Sequence, residues 1–274
     1  NSYKDEIIDS KGDLKESYIN NVNMLRGPFL NTEYLAFFMK SDKNEIKSEL
    51  IRKAINIGFD KRKMIRFLRN GVGSPADGGF IPAGLPGHRI NEINNYNPNL
   101  AKSYVNEYMK IYNSKPSLKL TTSSNYLIFC EYIQKELEKI GIEIIIDVIP
   151  GSALKQAKAN GKLDFFRASW IADYPDAENY LSLFYSKNFT PNGPNYTHFS
   201  DPDFDLLYEY SLEETDAEKS KNIYTKMDSL IISKSIIVPL FYDEVIRFVS
   251  KNVTGMKINA TNLLDLRKVK KDNN

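Results

Sequence analysis

Hydrophobic positions change period several times along the chain, and each change marks an element. Positions 7–26 mix polar and apolar residues without a strong period, and Arg26-Gly27-Pro28 then breaks the chain. The aromatic-rich run Tyr34-Leu35-Ala36-Phe37-Phe38-Met39 that follows predicts a buried strand. From position 45 the spacing becomes helical. Leu50, Ile51, Ala54 and Ile55 share one face, and a second short helix follows with Asp60 as N-cap and Met64, Ile65 and Leu68 inward. Gly71 ends it. Positions 71–98 hold Gly71, Gly73, Pro75, Gly78, Gly79, Pro82, Gly84, Pro86, Gly87 and Pro98, a density that forbids regular structure and predicts a long ordered loop over the surface. Loops of that length inside a compact domain generally serve a function.

Ala101, Tyr104, Val105, Tyr108 and Met109 define a further amphipathic helix. After Pro116 comes the clearest unit: a strand over 118–121, a helix capped near Ser123 with Tyr126, Cys130, Ile133, Leu137 and Ile140 on one face, a Gly141 stop, and a strand over 142–149. This is a βαβ unit, predicted to be right-handed with parallel strands. Pro150-Gly151 opens a short helix ending near Gly161, and 163–169 reads as strand. Helices follow around 204–210 and 223–233, and Pro239 opens a strand-like run, Leu240-Phe241-Tyr242, continued by 244–249. The fold class is α/β.

Composition narrows the function classes. The 274 residues are 42% hydrophobic and 12% aromatic, enough for one large core or two ordinary ones, which excludes disorder as the overall state. Lys and Arg number 37 against 35 for Asp and Glu, a formal +2 that argues for neither a nucleic-acid nor an anionic-membrane surface. The basic run Arg267-Lys268-Val269-Lys270-Lys271 reads as a solvated end. No apolar stretch approaches the ~20 residues of a membrane span. The start, Asn1-Ser2-Tyr3-Lys4-Asp5, has no initiator Met and no signal-like segment, so a processed or truncated product is expected. Cys130 alone excludes an internal disulfide or a Cys-rich zinc site. His88 and His198 lie far apart without ligand spacing and read as surface residues. Metal and Ser-His-Asp chemistry are therefore disfavoured, and no cofactor is expected: Gly71-Val72-Gly73-Ser74-Pro75 follows a helix and matches neither phosphate-binding glycine pattern.

The segment Arg167-Ala168-Ser169-Trp170-Ile171-Ala172-Asp173-Tyr174-Pro175-Asp176 stands out. It gathers the sole tryptophan, an arginine and two aspartates where a strand gives way to a loop, the place where open α/β sheets bind ligands. Trp170 and Tyr174 would supply a stacking wall and Asp173 a fixed negative charge for a cationic group. The plainer alternative is that Asp173 or Asp176 caps the next helix and Trp170 fills core. Asp176 is the better cap, which frees Asp173. Aromatics at 34–38 and 241–242 fit either a pocket or simple core.

The order of these features resembles the C-terminal part of the periplasmic oligopeptide- and dipeptide-binding proteins, solute-binding protein family 5, the receptors of ABC importers. Tyr34-Leu35-Ala36-Phe37-Phe38 resembles that family's crossing strand. The stretches 51–61, Gly71-Val72-Gly73-Ser74-Pro75-Ala76, Ile81-Pro82-Ala83-Gly84, 97–102, 133–149, Gly161-Lys162-Leu163-Asp164, Trp170-Ile171-Ala172-Asp173-Tyr174-Pro175-Asp176, 196–207 and Val238-Pro239-Leu240-Phe241-Tyr242 match it in register. Each motif is weak alone; the ordered set is specific.

The resemblance implies the C-terminal lobe of a two-lobed, class II periplasmic-binding-protein-like fold. Residues 41–240 would form the ligand-binding lobe. Residues 1–40 would be a remnant of the N-terminal lobe with the first crossing segment, and 241–274 the second crossing and the return to that lobe. Asp173 takes the place of the acidic residue that pairs with a peptide's α-amino group, and Trp170 and Ile171 line the cleft. Arg167 and Lys158 match positions that can face the ligand's carboxylate, although Lys158-Ala159 departs from the family's Arg-His. Tyr242 matches a crossing-segment aromatic, with Tyr34 and Phe38 its analogues on the other crossing. The implied function is capture of oligopeptides and delivery to the permease subunits of an ABC transporter. The implied protein is a monomer, not an enzyme, located in the periplasm or at the cell surface and lipid-anchored at full length. A non-peptide solute such as a nickel chelate, sugar or haem is compatible with the same fold, and a hydrolase is the remoter alternative. Ile246, Phe248 and Val249 are expected to expose apolar strand faces that a further lobe would cover.

Overall fold

The computed structural model describes residues 4–89 and 95–272. Two single-turn helices, α1 (Lys4–Ile7) and α2 (Glu16–Ile19), precede the long strand β1 (Val22–Phe37), which starts well before the aromatic run. Then come α3 (Asn44–Lys47), α4 (Glu49–Ile57), α5 (Lys61–Leu68), the two-residue strand β2 (Ser74–Pro75) and α6 (Pro98–Tyr112). The predicted βαβ unit is present as β3 (Ser117–Thr122), α7 (Leu127–Glu138) and β4 (Glu143–Val148), with Leu118 beside Ile144 and Leu120 beside Ile146 in parallel register. It is followed by α8 (Gly151–Ala159), β5 (Phe165–Ile171), the short α9 (Glu178–Leu181), α10 (Pro202–Glu213), α11 (Ala217–Ser233) and β6 (Ile237–Ser250). A small hairpin of β7 (Val253–Thr254) and β8 (Lys270–Lys271) closes the chain.

Local chemistry sets the helix boundaries. Asp60 accepts from the Lys63 N–H at 2.9 Å, Asn97 from Leu100 at 3.0 Å and Asp201 from Phe204 at 3.0 Å, each filling an orphan donor of a first turn. Gly141, at φ +93°, turns the chain from α7 into β4. Arg52 of α4 works over longer range. Its buried guanidinium donates to the carbonyls of Ile46, Lys47, Lys234 and Ser235, so one side chain closes the ends of α3 and α11 together.

Six strands form one mixed sheet in the order β2-β6-β1-β5-β3-β4. β5 runs parallel to β3, and β1 is antiparallel to both β5 and β6. Helices cover both faces. Tyr34, Ala36, Phe166, Ala168 and Ile237 pack toward α9, α10 and α11. Leu35, Phe37, Phe165, Val238 and Leu240 pack toward α4, α6 and α7. Coverage on both sides explains why the end of β1 reads as an unbroken apolar run rather than an alternating one. Pro239 sits inside β6, at a register shift against β1 where no ladder N–H is demanded. β6 runs unbroken through position 240.

Three expectations are corrected. The glycine- and proline-rich loop does not lie over the surface: residues 76–82 are buried, and Phe80 meets Tyr34, Tyr180 and Phe184 edge-on at 5.0, 5.5 and 5.2 Å. Its backbone is satisfied from inside. Asp228 accepts from the Phe80 N–H at 2.8 Å, Thr32 Oγ1 donates to the Phe80 carbonyl at 2.9 Å, and the Tyr242 hydroxyl donates to the Gly79 carbonyl at 2.9 Å. The part of that loop at 90–94 lies outside the described residues. Neither histidine is a plain surface residue. His88 is half-buried with its ring edge-on to Tyr242, and His198 stacks on Phe189 at 4.6 Å. Finally, Val249 is buried and Ile246 and Phe248 are half-buried, because the returning chain covers part of the β1–β6 ribbon: Leu30 donates to the Ala260 carbonyl at 2.8 Å, and Ile258 lies against Gly27. The exposed apolar side chains of this region are Leu263, Leu264 and Leu266 instead.

Candidate functional site

At its carboxyl end β5 leaves the sheet and becomes the loop that carries Asp173. The register places Thr32 of β1 between Trp170 on one side and Tyr242 on the other, so these three residues form one row across the sheet. Asn31 lies opposite Ile171, whose side chain is 53% exposed. Trp170 is half-buried. Its indole N–H donates to Asn179 Oδ1 at 2.8 Å, and the Asp173 backbone N–H donates to the same oxygen at 3.2 Å. Asn179 is buried in α9 and pins the wall and the acidic loop together. Asp176 Oδ1 accepts from the Glu178 N–H at 2.8 Å, which makes Asp176 the capping aspartate. The Asp173 carboxylate is exposed and has no partner among the described residues.

Strand alternation separates the candidates. Even-numbered Trp170 and Ala168 share the face of Tyr34, whereas Arg167 shares the opposite face with Glu33 and Leu35. Arg167 is buried, forms an ion pair with Glu33, and carries the Tyr126 ring against its guanidinium at 3.1 Å. Lys158, at the end of α8, holds its ammonium 5.1 Å from the centre of the Tyr196 ring. Burial pushes its pKa down to about 8, and the Arg167 charge adds to that while Glu33 opposes it. Tyr34 is core: it is 3% exposed, lies under Phe80, and burial pushes its phenol well above the ordinary range.

Tyr242 is also buried, yet it borders a cavity of about 450 Å³ with Arg26, Pro28, Phe29, Asp243 and Glu244. The cavity lies where the β1–β6 register breaks between Pro28 and Thr32. Phe38 is not brought into the cluster. It follows Phe37, the partner of Phe165, and packs on His198 at the far end of β1. At roughly 3.3 Å per residue, that is about 23 Å along the strand from Asn31. Sequence reasoning missed Glu33, Tyr126 and Asn179, which carry no local motif and join the site only through pairing.

The arrangement offers an open carboxylate beside an aromatic wall; Lys158 is a half-buried cation whose ammonium faces the Tyr196 ring, and the Arg167–Glu33 pair is buried on the sheet face opposite Trp170. A model of the bacterial extracellular solute-binding proteins, family 5 Middle, matches residues 7–192. The chain belongs to this family. A probable di/tripeptide-binding protein 5 of Pseudomonas aeruginosa is 24% identical over 222 residues, covering 80% of this chain and 42% of the relative. The structure of HbpA2 from Haemophilus parasuis aligns with a TM-score of 0.82 at 19% identity, over 92% of this chain and 50% of the other. A periplasmic binding protein DppA from Helicobacter pylori, solved with the peptide STSA, aligns at 0.79 with 21% identity, over 94% of this chain and 50% of the other. At these identities the structural matches show the fold, which is that of the expected periplasmic binding-protein class. The chain spans about half the length of these solute-binding proteins. No described helix is long and apolar enough to cross a membrane.

Proposed function

We propose that this chain is the C-terminal ligand-binding part of an extracytoplasmic receptor that captures short peptides and hands them to the permease of an ABC importer. The observation that carries the reading is the Asp173 carboxylate: it is exposed, unpaired among the described residues, and held beside Trp170 through Asn179. A peptide's α-amino group entering there gains a charge-assisted bond of about 1.5–3 kcal/mol. Ile171, exposed at the strand end, offers backbone groups to an extended ligand in the manner of an added strand. The similarity to a probable di/tripeptide-binding protein and to a binding protein solved with a tetrapeptide supports peptides as the ligand class.

In this reading residues 41–240 are the binding lobe, while 1–40 and 241–274 are strips that cross to another lobe. The protein works as a monomer, lipid-anchored in the periplasm or at the cell surface, and binds rather than turns over its ligand. Isothermal titration of a di- to pentapeptide library against the protein at its full encoded length tests it. Binding that weakens about tenfold or more in Asp173→Ala supports the assignment. No heat with any peptide, or an unaltered affinity in the variant, removes it. Turnover of chromogenic esters or peptides would contradict the binding-only role.

A further inference from the structure

A cavity of about 330 Å³ lies at the end of β1 remote from Asp173, where the chain leaving that strand meets α4, the segment before α10 and the turn from α11 into β6. The charges that border it do not balance. Asp201 is fully engaged: Oδ2 pairs with the Lys234 ammonium, and Oδ1 accepts from the Asp203 and Phe204 N–H groups at 3.1 and 3.0 Å. Glu49 is paired with Lys53 at 2.5 Å.

Arg52 and Lys40 border the same cavity and meet no carboxylate. Arg52 is 4% exposed, and four of its five N–H groups donate to the carbonyls of Ile46, Lys47, Lys234 and Ser235. The fifth, on Nη2, has no partner among the described residues. Carbonyl dipoles solvate the guanidinium, but its full charge stays inside the fold without a counter-ion. Lys40 is exposed, with no ion pair or side-chain hydrogen bond among the described residues. Met39, Phe199 and Ile236 give the cavity an apolar side.

We propose that this cavity is a second ligand site, taking a phosphate group, free or on a small organic molecule, between the Arg52 guanidinium and the Lys40 ammonium. Two unanswered cations suit a group that brings more than one negative charge and several acceptor oxygens, so that both are met at once; a lone carboxylate brings one charge. The apolar side leaves room for a small organic group on the phosphate. The inference does not depend on the peptide reading, because Phe38 and His198 mark this as the opposite end of β1 from the Asp173 loop.

His198 borders the cavity and reports on it. In the protein at its full encoded length, its ring signals are followed by NMR at constant pH and ionic strength and identified by their absence in His198→Asn. Inorganic phosphate and glycerol 3-phosphate are titrated separately, with chloride as the control. Phosphate shifts the His198 signals saturably, with a dissociation constant of about 1 mM or below, and the Arg52 guanidinium signals of 15N-labelled protein follow the same isotherm. The tighter of the two phosphates tells whether the group is taken free or as an ester.

Replacing Arg52 would also release the ends of α3 and α11, so the variant is Lys40→Gln, at an exposed position. It weakens phosphate binding by about threefold or more with the unfolding midpoint unchanged. A shift that does not saturate or that chloride reproduces, Arg52 signals that stay in place, or an unaltered affinity in Lys40→Gln overturns the proposal. No peptide enters the titration, so its outcome is independent of whether Asp173 binds one.

Discussion

Asp228 lies directly over the backbone of Gly79: a Cβ on Gly79 would fall 1.9 Å from Asp228 Oδ2. Gly79 also has φ +136°, a region that side chains of L-residues rarely enter. The carboxylate cannot withdraw, because it accepts from the Phe80 N–H at 2.8 Å and from Arg89 Nη2 at 2.7 Å. Through this contact α11 holds the buried loop against the sheet. Gly79→Ala is therefore expected to destabilise the protein by about 3 kcal/mol or more, combining backbone strain with a broken buried ion pair. Urea unfolding measures it, and a loss below about 1 kcal/mol would show that the loop can move aside.

Asn179 holds together the two groups that the proposed function places at the ligand, Trp170 and the Asp173 loop. Asn179→Ala leaves the Trp170 indole N–H and the Asp173 N–H without their shared acceptor. The expected results are a stability loss of about 1–3 kcal/mol, a changed Trp170 fluorescence, and weaker peptide binding. Unchanged fluorescence and affinity together would mean that the loop holds its shape without Asn179.

Lys158 predicts a pH dependence. Its folded-state pKa of about 8 lies below the ordinary lysine value because burial, then the Arg167 charge, disfavours the ammonium. Below pH 8 the ammonium is charged and available to a carboxylate; as pH rises through 8 the charge and its contribution to anion binding are lost. Affinity for a peptide with a free carboxylate end should fall across that interval, and affinity for the same peptide amidated should not. In Lys158→Met the two pH profiles should coincide. The stability contribution has the opposite sense: the folded state loses its proton before the unfolded chain does, so the cost of burying Lys158 is full below pH 8, falls as pH rises from about 8 and is gone above the ordinary lysine value of 10.5.

Phe38 separates fold from site. It packs on His198 and over Gly161, at the end of β1 remote from Asp173. Phe38→Ala should lower the unfolding midpoint while leaving the peptide dissociation constant within about twofold, since its loss is a packing loss. A tenfold loss of affinity with unchanged stability would place Phe38 at the ligand after all.

What the amino-acid order determined is the part of the protein built from near neighbours. The cap at Asp60, the Gly141 stop, the parallel β3–α7–β4 unit and the cap at Asp176 that leaves Asp173 open all depend on contacts within a turn or a strand, so period and spacing reveal them. The ordered motifs likewise located the acidic loop after β5. Tertiary structure decided the rest. Glu33 and Arg167 are 134 positions apart, and Phe80 and Asp228 are 148 apart. No local pattern distinguishes a glutamate that neutralises a buried arginine from one that meets water. Alternation on a strand predicts that neighbours face opposite ways, but only pairing of β1 with β5 shows that Trp170 and Arg167 open on different faces. The buried stretch at 76–82 follows the same rule: its composition foretells irregular backbone, while Asp228, Thr32 and Tyr242, all distant in sequence, supply the hydrogen bonds that let that backbone be buried.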